Sequence, residues 1–305
     1  MTKVIGVLGA GAWGTALAEV ARQAGHAVRI WSRASPDLVP LAAAEALILA
    51  VPAQAARAVL ETAKPILAKG QRIIIAAKGI EQGTGLFMNE VVQDVAAEAD
   101  AMVLSGPSFA ADVLKGLPTA VVLAASRIED ARHWAGTLSR PFFRIYASDD
   151  VKGVEIGGAL KNVLAIACGI SDGRGLGDSA RAALTTRGFA ELTRFAGKLG
   201  ARPETLMGLS GLGDLLLTCS SRQSRNYSFG HAIGEGFSVS EALARATGVV
   251  EGAATVRIAH ALARKHHIDM PIVDAVHAIV DGHAAPEEEI ARLLARPLRI
   301  EFTEG

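Results

Sequence analysis

The sequence predicts an α/β fold in two parts. A doubly wound, mainly parallel sheet is expected over residues 1–150, and an all-helical domain over 151–305. Three observations predict it. Seven short apolar runs alternate with Ala-rich helical segments in the first half. The first of these runs opens directly into the pattern Gly9-x-Gly11-x-x-Gly14. Near Asp149 the strand-like runs stop and a helical period takes over.

In chain order, the strand candidates are 4–8, 27–31, 46–51, 72–77, 101–105, 120–124 and 143–146. They are apolar on both faces, as strands covered by helices on each side must be. Helical patterns then cover 151–169, 179–199, 240–246, 251–266, 272–281 and 286–294. Ser238 and Glu241 form a capping-box pattern. Pro286 with Glu287–Glu289, and Arg292 and Arg296 further on, complement a helix dipole.

At 305 residues the chain has room for about two domains of roughly 150 residues. Half of it is apolar, and 31 basic residues balance 31 acidic ones. Bulk charge therefore points to neither nucleic acid nor an anionic membrane surface. No run approaches about 18 apolar residues free of charge and glycine, so no membrane span is expected. Lys3 and the apolar stretch after it resemble a signal peptide only superficially, because three glycines break the stretch. The two cysteines, Cys168 and Cys219, lie in apolar surroundings without metal-ligand spacing, and read as reduced thiols of a cytoplasmic protein. The eight histidines form no ligand spacing either, and no metal site is expected.

Each glycine of the first loop has a task in a Rossmann-like dinucleotide site. Gly9 permits the tight turn, Gly11 lets the backbone approach a pyrophosphate, and Gly14 lets the helix pack on the strand. The free N–H groups of the helix start then face the phosphates. An acid at the end of the second strand would bind a free ribose 2′-hydroxyl, but this strand ends Trp31-Ser32-Arg33. Arg33 can pair with a 2′-phosphate, so NADP(H) is favoured and NAD(H) also admissible; the alternative is a solvated arginine.

In the second half, Lys161 stands in a helix otherwise made of Gly, Ala, Val, Ile and Leu. Such an amine either snorkels or functions. Burial would lower its pKa toward neutrality, which suits a proton donor and acceptor. Gly157 and Gly158 are expected to leave an open surface beside it. Asp214, alone in GLSGLGDLLLTC, needs a cationic partner if buried, and Lys161 is one; a helix cap is the other reading. Ser224-Arg225-Asn226 makes either a phosphate cradle at a helix start or a plain polar loop. Lys78 and Gly106-Pro107-Ser108 follow strands at their carboxyl ends, where ligands of such sheets bind. Lys78 reads equally as surface charge.

With these residues in view, the chain resembles the bacterial NAD(P)-dependent glycerol-3-phosphate dehydrogenases. The matching stretches are GAGAWGTALA, LAVPAQ, AAKGIE, SGPSFA, GLPTAVVLA, GGALKNVLAIACGISDG, ARAALTTRG, MGLSGLGDLLLTC, QSRNYSFG and VVEGAATV, nearly end to end. The resemblance implies reversible hydride transfer between dihydroxyacetone phosphate and sn-glycerol 3-phosphate, supplying phospholipid synthesis. It implies Lys161 as proton acceptor and Asp214 as its partner and a substrate ligand. Lys78, Gly106, Ser108, Ser224, Arg225 and Asn226 are implied substrate contacts. Ala12, Trp13, Arg33, Lys78, Ala110, Arg225, Val249 and Glu251 are implied cofactor contacts, beside Gly9, Gly11 and Gly14. The partner is then a small phosphorylated substrate, and a homodimer is one assembly compatible with the chain.

One departure stands out. The family carries a helix, a loop and an edge strand between the second strand and the LAVP strand, whereas here residues 32–45 make the whole crossover. A helix of a few turns is expected to do it. Two other functions compete. A β-hydroxyacid dehydrogenase places Asn one turn after the lysine, where this chain has Ala165. A non-catalytic NADPH-binding sensor would not need the intact second-half constellation.

Overall fold

Every one of the seven apolar runs becomes a strand: β1 (Val4–Leu8), β2 (Ala27–Trp31), β3 (Ala46–Leu49), β4 (Arg72–Ile75), β5 (Asp100–Ser105), β6 (Thr119–Ala125) and β7 (Phe143–Ser148). The structure, a computed structural model, describes residues 2–297, so residues 298–305 of the second expected domain lie outside the described residues. The sheet order is β2-β1-β3-β4-β5-β6-β7. Neighbours pair in parallel except β5 with β6, which run antiparallel. The order reverses between β1 and β3, and at such a switch point the crevice outside the carboxyl ends receives a ligand.

Alternation of side chains sorts the strands onto two cores. Ile5, Val7, Ile48 and Ile74 pack on one face with α1 (Ala12–Gln23). Leu47, Leu49, Ile73 and Ile75 pack on the other with α2 (Ala56–Ala63) and α3 (Met88–Val95). The short helix α4 (Ala110–Leu114) abuts α1, and α5 (Ile128–Leu138) covers the far strands.

The crossover corrects one expectation. Residues 32–45 form no helix of several turns, only a 3-10 turn at Val39–Leu41. Pro36 and Pro40 remove backbone donors there. Trp31 Nε1 instead donates to the Pro36 carbonyl at 3.1 Å, and Ser32 pairs with Ser35. β2 is left as the sheet edge.

The helical half is built around α6 (Val151–Gly173), in which every residue from Gly153 to Ser171 is buried. A helix apolar all round belongs in a core. α6 is long and apolar enough to cross a membrane, and here its most apolar 18-residue stretch is wholly buried inside the protein. Around it lie α7 (Gly177–Lys198), α8 (Pro203–Met207), α9 (Asp214–Cys219), α10 (Arg225–Gly234), α11 (Val239–Arg245), α12 (Glu251–Lys265), α13 (Pro271–Val280) and α14 (Pro286–Leu294). The expected capping box starts α11: Ser238 Oγ accepts from Glu241 N, and Ser238 N donates to Glu241 Oε2. Glycines set how near α10 comes to α6. A Cβ on Gly169 would lie 2.1 Å from the Tyr227 carbonyl, and one on Gly230 2.1 Å from that of Ile166. This backbone contact fixes Asn226 against α6.

Candidate active site

The glycine loop is built as its spacing requires. Gly9 has φ +116°, a conformation that disfavours any side chain, and a Cβ there would meet the Ala50 carbonyl at 2.7 Å. A Cβ on Gly14 would sit 2.0 Å from the Gly9 carbonyl, so α1 packs directly on the turn. Gly11, the residue before α1, faces open space, with nothing within 4 Å of an added Cβ. Gly9 N donates to the Trp31 carbonyl at 2.9 Å, which ties the loop to the end of β2 and brings Ser32 and exposed Arg33 beside it. Ala12 and Trp13 begin α1, and the buried Trp13 Nε1 has no protein partner.

Three charged groups from three distant segments meet at the carboxyl ends of β4 and β5. Lys161 Nζ donates to Asp214 Oδ1 at 2.5 Å and to Thr218 Oγ1 at 3.0 Å. Lys78 Nζ donates to Asp214 Oδ2 at 2.8 Å and to the Gly106 carbonyl at 3.0 Å. Asp214 is 1% exposed. Lys161 is buried, so it is no snorkeller, and Lys78 is no surface charge. Asp214 lies at the start of α9, yet both its oxygens are taken up by the two lysines and Thr218. Burial alone would raise its pKa, but the ammonium groups of Lys161 and Lys78 outweigh that and hold it low. Burial pulls Lys161 down to about 8 against the raising effect of Asp214, and Lys78 pushes the same way as burial. Two ammonium groups around one carboxylate leave the cluster with a net positive charge, which suits a phosphorylated substrate.

The two glycines beside Lys161 serve packing, which corrects the expected open surface. A Cβ on Gly157 would lie 2.5 Å from the Ser210 carbonyl. One on Gly158 would lie 2.6 Å from Ser105 Oγ and 3.6 Å from Lys78 Cγ. Their absent side chains let the Leu209–Gly213 π-turn and the end of β5 close on α6. That approach is what brings Asp214 and Lys78 within reach of Lys161.

The remaining expected residues fall into two groups. Gly106 (φ +143°) turns the chain after β5, and Ser108 Oγ donates back to its carbonyl at 3.0 Å. Ala110 starts α4 beside α1. On the helical side, Ser224 caps α10 by accepting from Tyr227 N. Asn226 is buried, and its amide bridges Asn162 Oδ1 (2.9 Å) and Gly252 N (2.8 Å), joining α6, α10 and α12. Exposed Arg225 passes close to Gly248, next to Val249. Glu251 Oε1 accepts from Ala53 N at 3.2 Å, Oε2 has no partner, and burial raises its pKa. Sequence reasoning missed Thr218 and Asn162 as members of the site. The i,i+4 spacing of Asp214 and Thr218 on one helix was the available signal for the first.

These elements match one family over both halves of the chain. The model for the NAD-dependent glycerol-3-phosphate dehydrogenase C-terminus matches residues 150–291, and that for its N-terminus matches 4–43 and 33–131. The chain belongs to the NAD-dependent glycerol-3-phosphate dehydrogenase family. The N-terminal match breaks into two pieces at the shortened crossover. A glycerol-3-phosphate dehydrogenase [NAD(P)+] of Parvibaculum lavamentivorans is 50% identical over 325 residues, covering 97% of this chain and 98% of the relative. That of Methylobacterium radiotolerans is 51% identical, covering 97% of each. The crystal structure of glycerol-3-phosphate dehydrogenase from Coxiella burnetii superposes with a TM-score of 0.92 at 39% identity, over 97% of this chain and 99% of that one. This chain is thus an NAD(P)-dependent dehydrogenase of that family, and the alignment with the first relative, at 325 residues, is longer than its own 305.

Proposed function

We infer that the chain interconverts dihydroxyacetone phosphate and sn-glycerol 3-phosphate, with Lys161 as the proton donor and acceptor. The observation that carries this reading is the buried Lys161–Asp214–Lys78 cluster at the carboxyl ends of the strands. When bound, NAD(P)H supplies the hydride. The residues present fit such a cofactor: an open backbone at Gly11, a helix start, an unpartnered Trp13 Nε1, and Arg33 without a competing acid. Arg33 favours NADP(H).

In the reductive direction Lys161 is an ammonium. One N–H goes to Asp214 and one to Thr218, and the third is left for the substrate oxygen. It stabilises the developing negative charge and gives up its proton there. In the oxidative direction neutral Lys161 takes the hydroxyl proton at Nζ. Asp214 holds the amine in place and keeps its pKa from falling further. Lys78 contributes positive charge from the other side of the same carboxylate. The start of α10, with Ser224, Arg225 and the second N–H of Asn226 Nδ2, takes the substrate phosphate. Buried free thiols at Cys168 and Cys219 suit work in the reducing cytoplasm.

Cofactor oxidation followed by absorbance tests the reading. Turnover is expected with dihydroxyacetone phosphate and NADPH, and little with unphosphorylated dihydroxyacetone. Absence of turnover with either nicotinamide cofactor would overturn it and favour a binding-only role.

A further inference from the structure

The far end of the helical domain gathers residues that sequence spacing did not connect. His277 and Asp281 are four residues apart at the end of α13 and share one face. Gly282 follows with φ +72°, and the chain reverses. Gly282 N donates to the Ile279 carbonyl and His283 N to the Ala278 carbonyl, the paired bonds of a glycine-terminated helix. This turn carries His283 back over the last helical turn. The ligand atoms of His277, Asp281 and His283 all lie within 4.8 Å of one another.

We propose that His277, Asp281 and His283 bind a divalent transition-metal ion of the zinc type. Two imidazoles and a carboxylate are the donor set of a three-ligand site that leaves a fourth position to water. Hard ions such as Mg²⁺ prefer oxygen alone, so the set discriminates against them. The surroundings orient the ligands. Arg257 of α12 donates from Nε to Asp281 Oδ1 at 2.6 Å, which leaves Oδ2 beside His277 Nε2 at 3.2 Å. The ion takes the place of the hydrogen between those two atoms, and the neutral imidazole of His277 carries its one ring hydrogen on Nδ1 instead. His260 stacks flat on His277, with centroids 4.1 Å apart and planes 7° apart, and is itself held by Asp274 at 2.8 Å. Imidazole nitrogens ligate in the ring plane, so a stacked ring steadies its neighbour and does not share its ion. Such outer partners are usual around metal ligands. The ion ties the end of α13 and its turn to α12 through Asp281 and Arg257. None of these residues belongs to the site around Lys161.

Zn²⁺ titration of the purified chain at pH 7.5 by calorimetry, with Co²⁺ as a spectroscopic probe, tests the proposal. One equivalent is expected to bind, with visible Co²⁺ bands of low coordination number and a rise in Tm as ligand saturates the folded state. His283 is exposed, so His283→Ala should fold normally and keep full dehydrogenase activity without metal. It should weaken Zn²⁺ binding at least about tenfold, the scale on which even an outer partner alters affinity. His277→Ala should do the same. The double variant His266→Ala/His267→Ala removes histidines elsewhere and should bind as the parent does. Equal affinity in the parent and His283→Ala, loss in the His266/His267 double variant instead, or Mg²⁺ binding as well as Zn²⁺ would each overturn the assignment.

Discussion

Replacing Asp214 with Asn removes one negative charge from between two ammonium groups. Asp214 lies 2.5 Å from Lys161 and 2.8 Å from Lys78 and is 1% exposed, so water cannot replace it. At an effective dielectric of about 20, each such pair is worth on the order of 6 kcal/mol before desolvation is counted. Removing one partner of a buried pair costs about 3–5 kcal/mol net, because a charge is left uncompensated. Lys161 can escape part of that cost by losing its proton. Burial and Lys78 already pull it down to about 8, and only Asp214 and weaker contacts resist. In Asp214→Asn its pKa therefore falls below about 8. The reductive reaction needs the ammonium, so its high-pH limb moves to lower pH, and kcat/KM at pH 7.5 drops by roughly 100-fold or more. The assay is a pH profile of kcat/KM with dihydroxyacetone phosphate and NADPH, paired with a melting curve. A limb unmoved from the parent's, together with an unchanged Tm, would refute the electrostatic account. Adding Lys78→Met to Asp214→Asn should restore part of the lost stability, since it removes the repulsion.

Two further outcomes follow from other parts of the structure. Arg33→Ala should weaken NADPH and leave NADH almost unchanged. A charge-assisted contact is worth about 1.5–3 kcal/mol, and exposure of Arg33 puts the loss near the low end, about tenfold in Kd; equal losses for both cofactors by fluorescence titration would mean Arg33 does not read the phosphate. Glu155 is buried, accepts one bond from Asn89 N, and has no partner at Oε2; burial raises its pKa to about 8. The folded state then holds a proton that the unfolded state gives up above about 4.5, so this contribution to stability is full at low pH and is lost as pH rises through about 8. Glu155→Gln should raise Tm at pH 8.5 and change it little at pH 5, and a pH-independent difference would contradict this.

The sheet was legible because its strands are short apolar runs punctuated by glycine and polar turns, and the Gly9–Gly14 spacing marked its first crossover. The Lys161–Asp214 pairing was legible from one rule, that a buried charge needs an opposite one. Lys78 was not, because its place beside Asp214 depends on how the end of β4 meets α9 across 136 residues of chain. Gly157 and Gly158 were noticed for the wrong reason. A glycine shows only that a side chain is unwelcome, and the sequence does not say whether a ligand or the Ser210 backbone takes the space. The crossover at 32–45 was misjudged because its length permits a helix while its prolines interrupt one. The His277, Asp281 and His283 cluster was hidden because the turn at Gly282, not a regular spacing, brings it together.

The central claim is that the Lys161 amine moves the proton. Steady-state kinetics of Lys161→Ala with dihydroxyacetone phosphate and NADPH tests it most directly, alongside the NADPH Kd of the same variant. The account predicts a fall in kcat of at least about 100-fold, the scale for a positioned acid or base, with the cofactor Kd little changed. Near-normal turnover would show that Lys161 only fills space beside Asp214, and would contradict the mechanism.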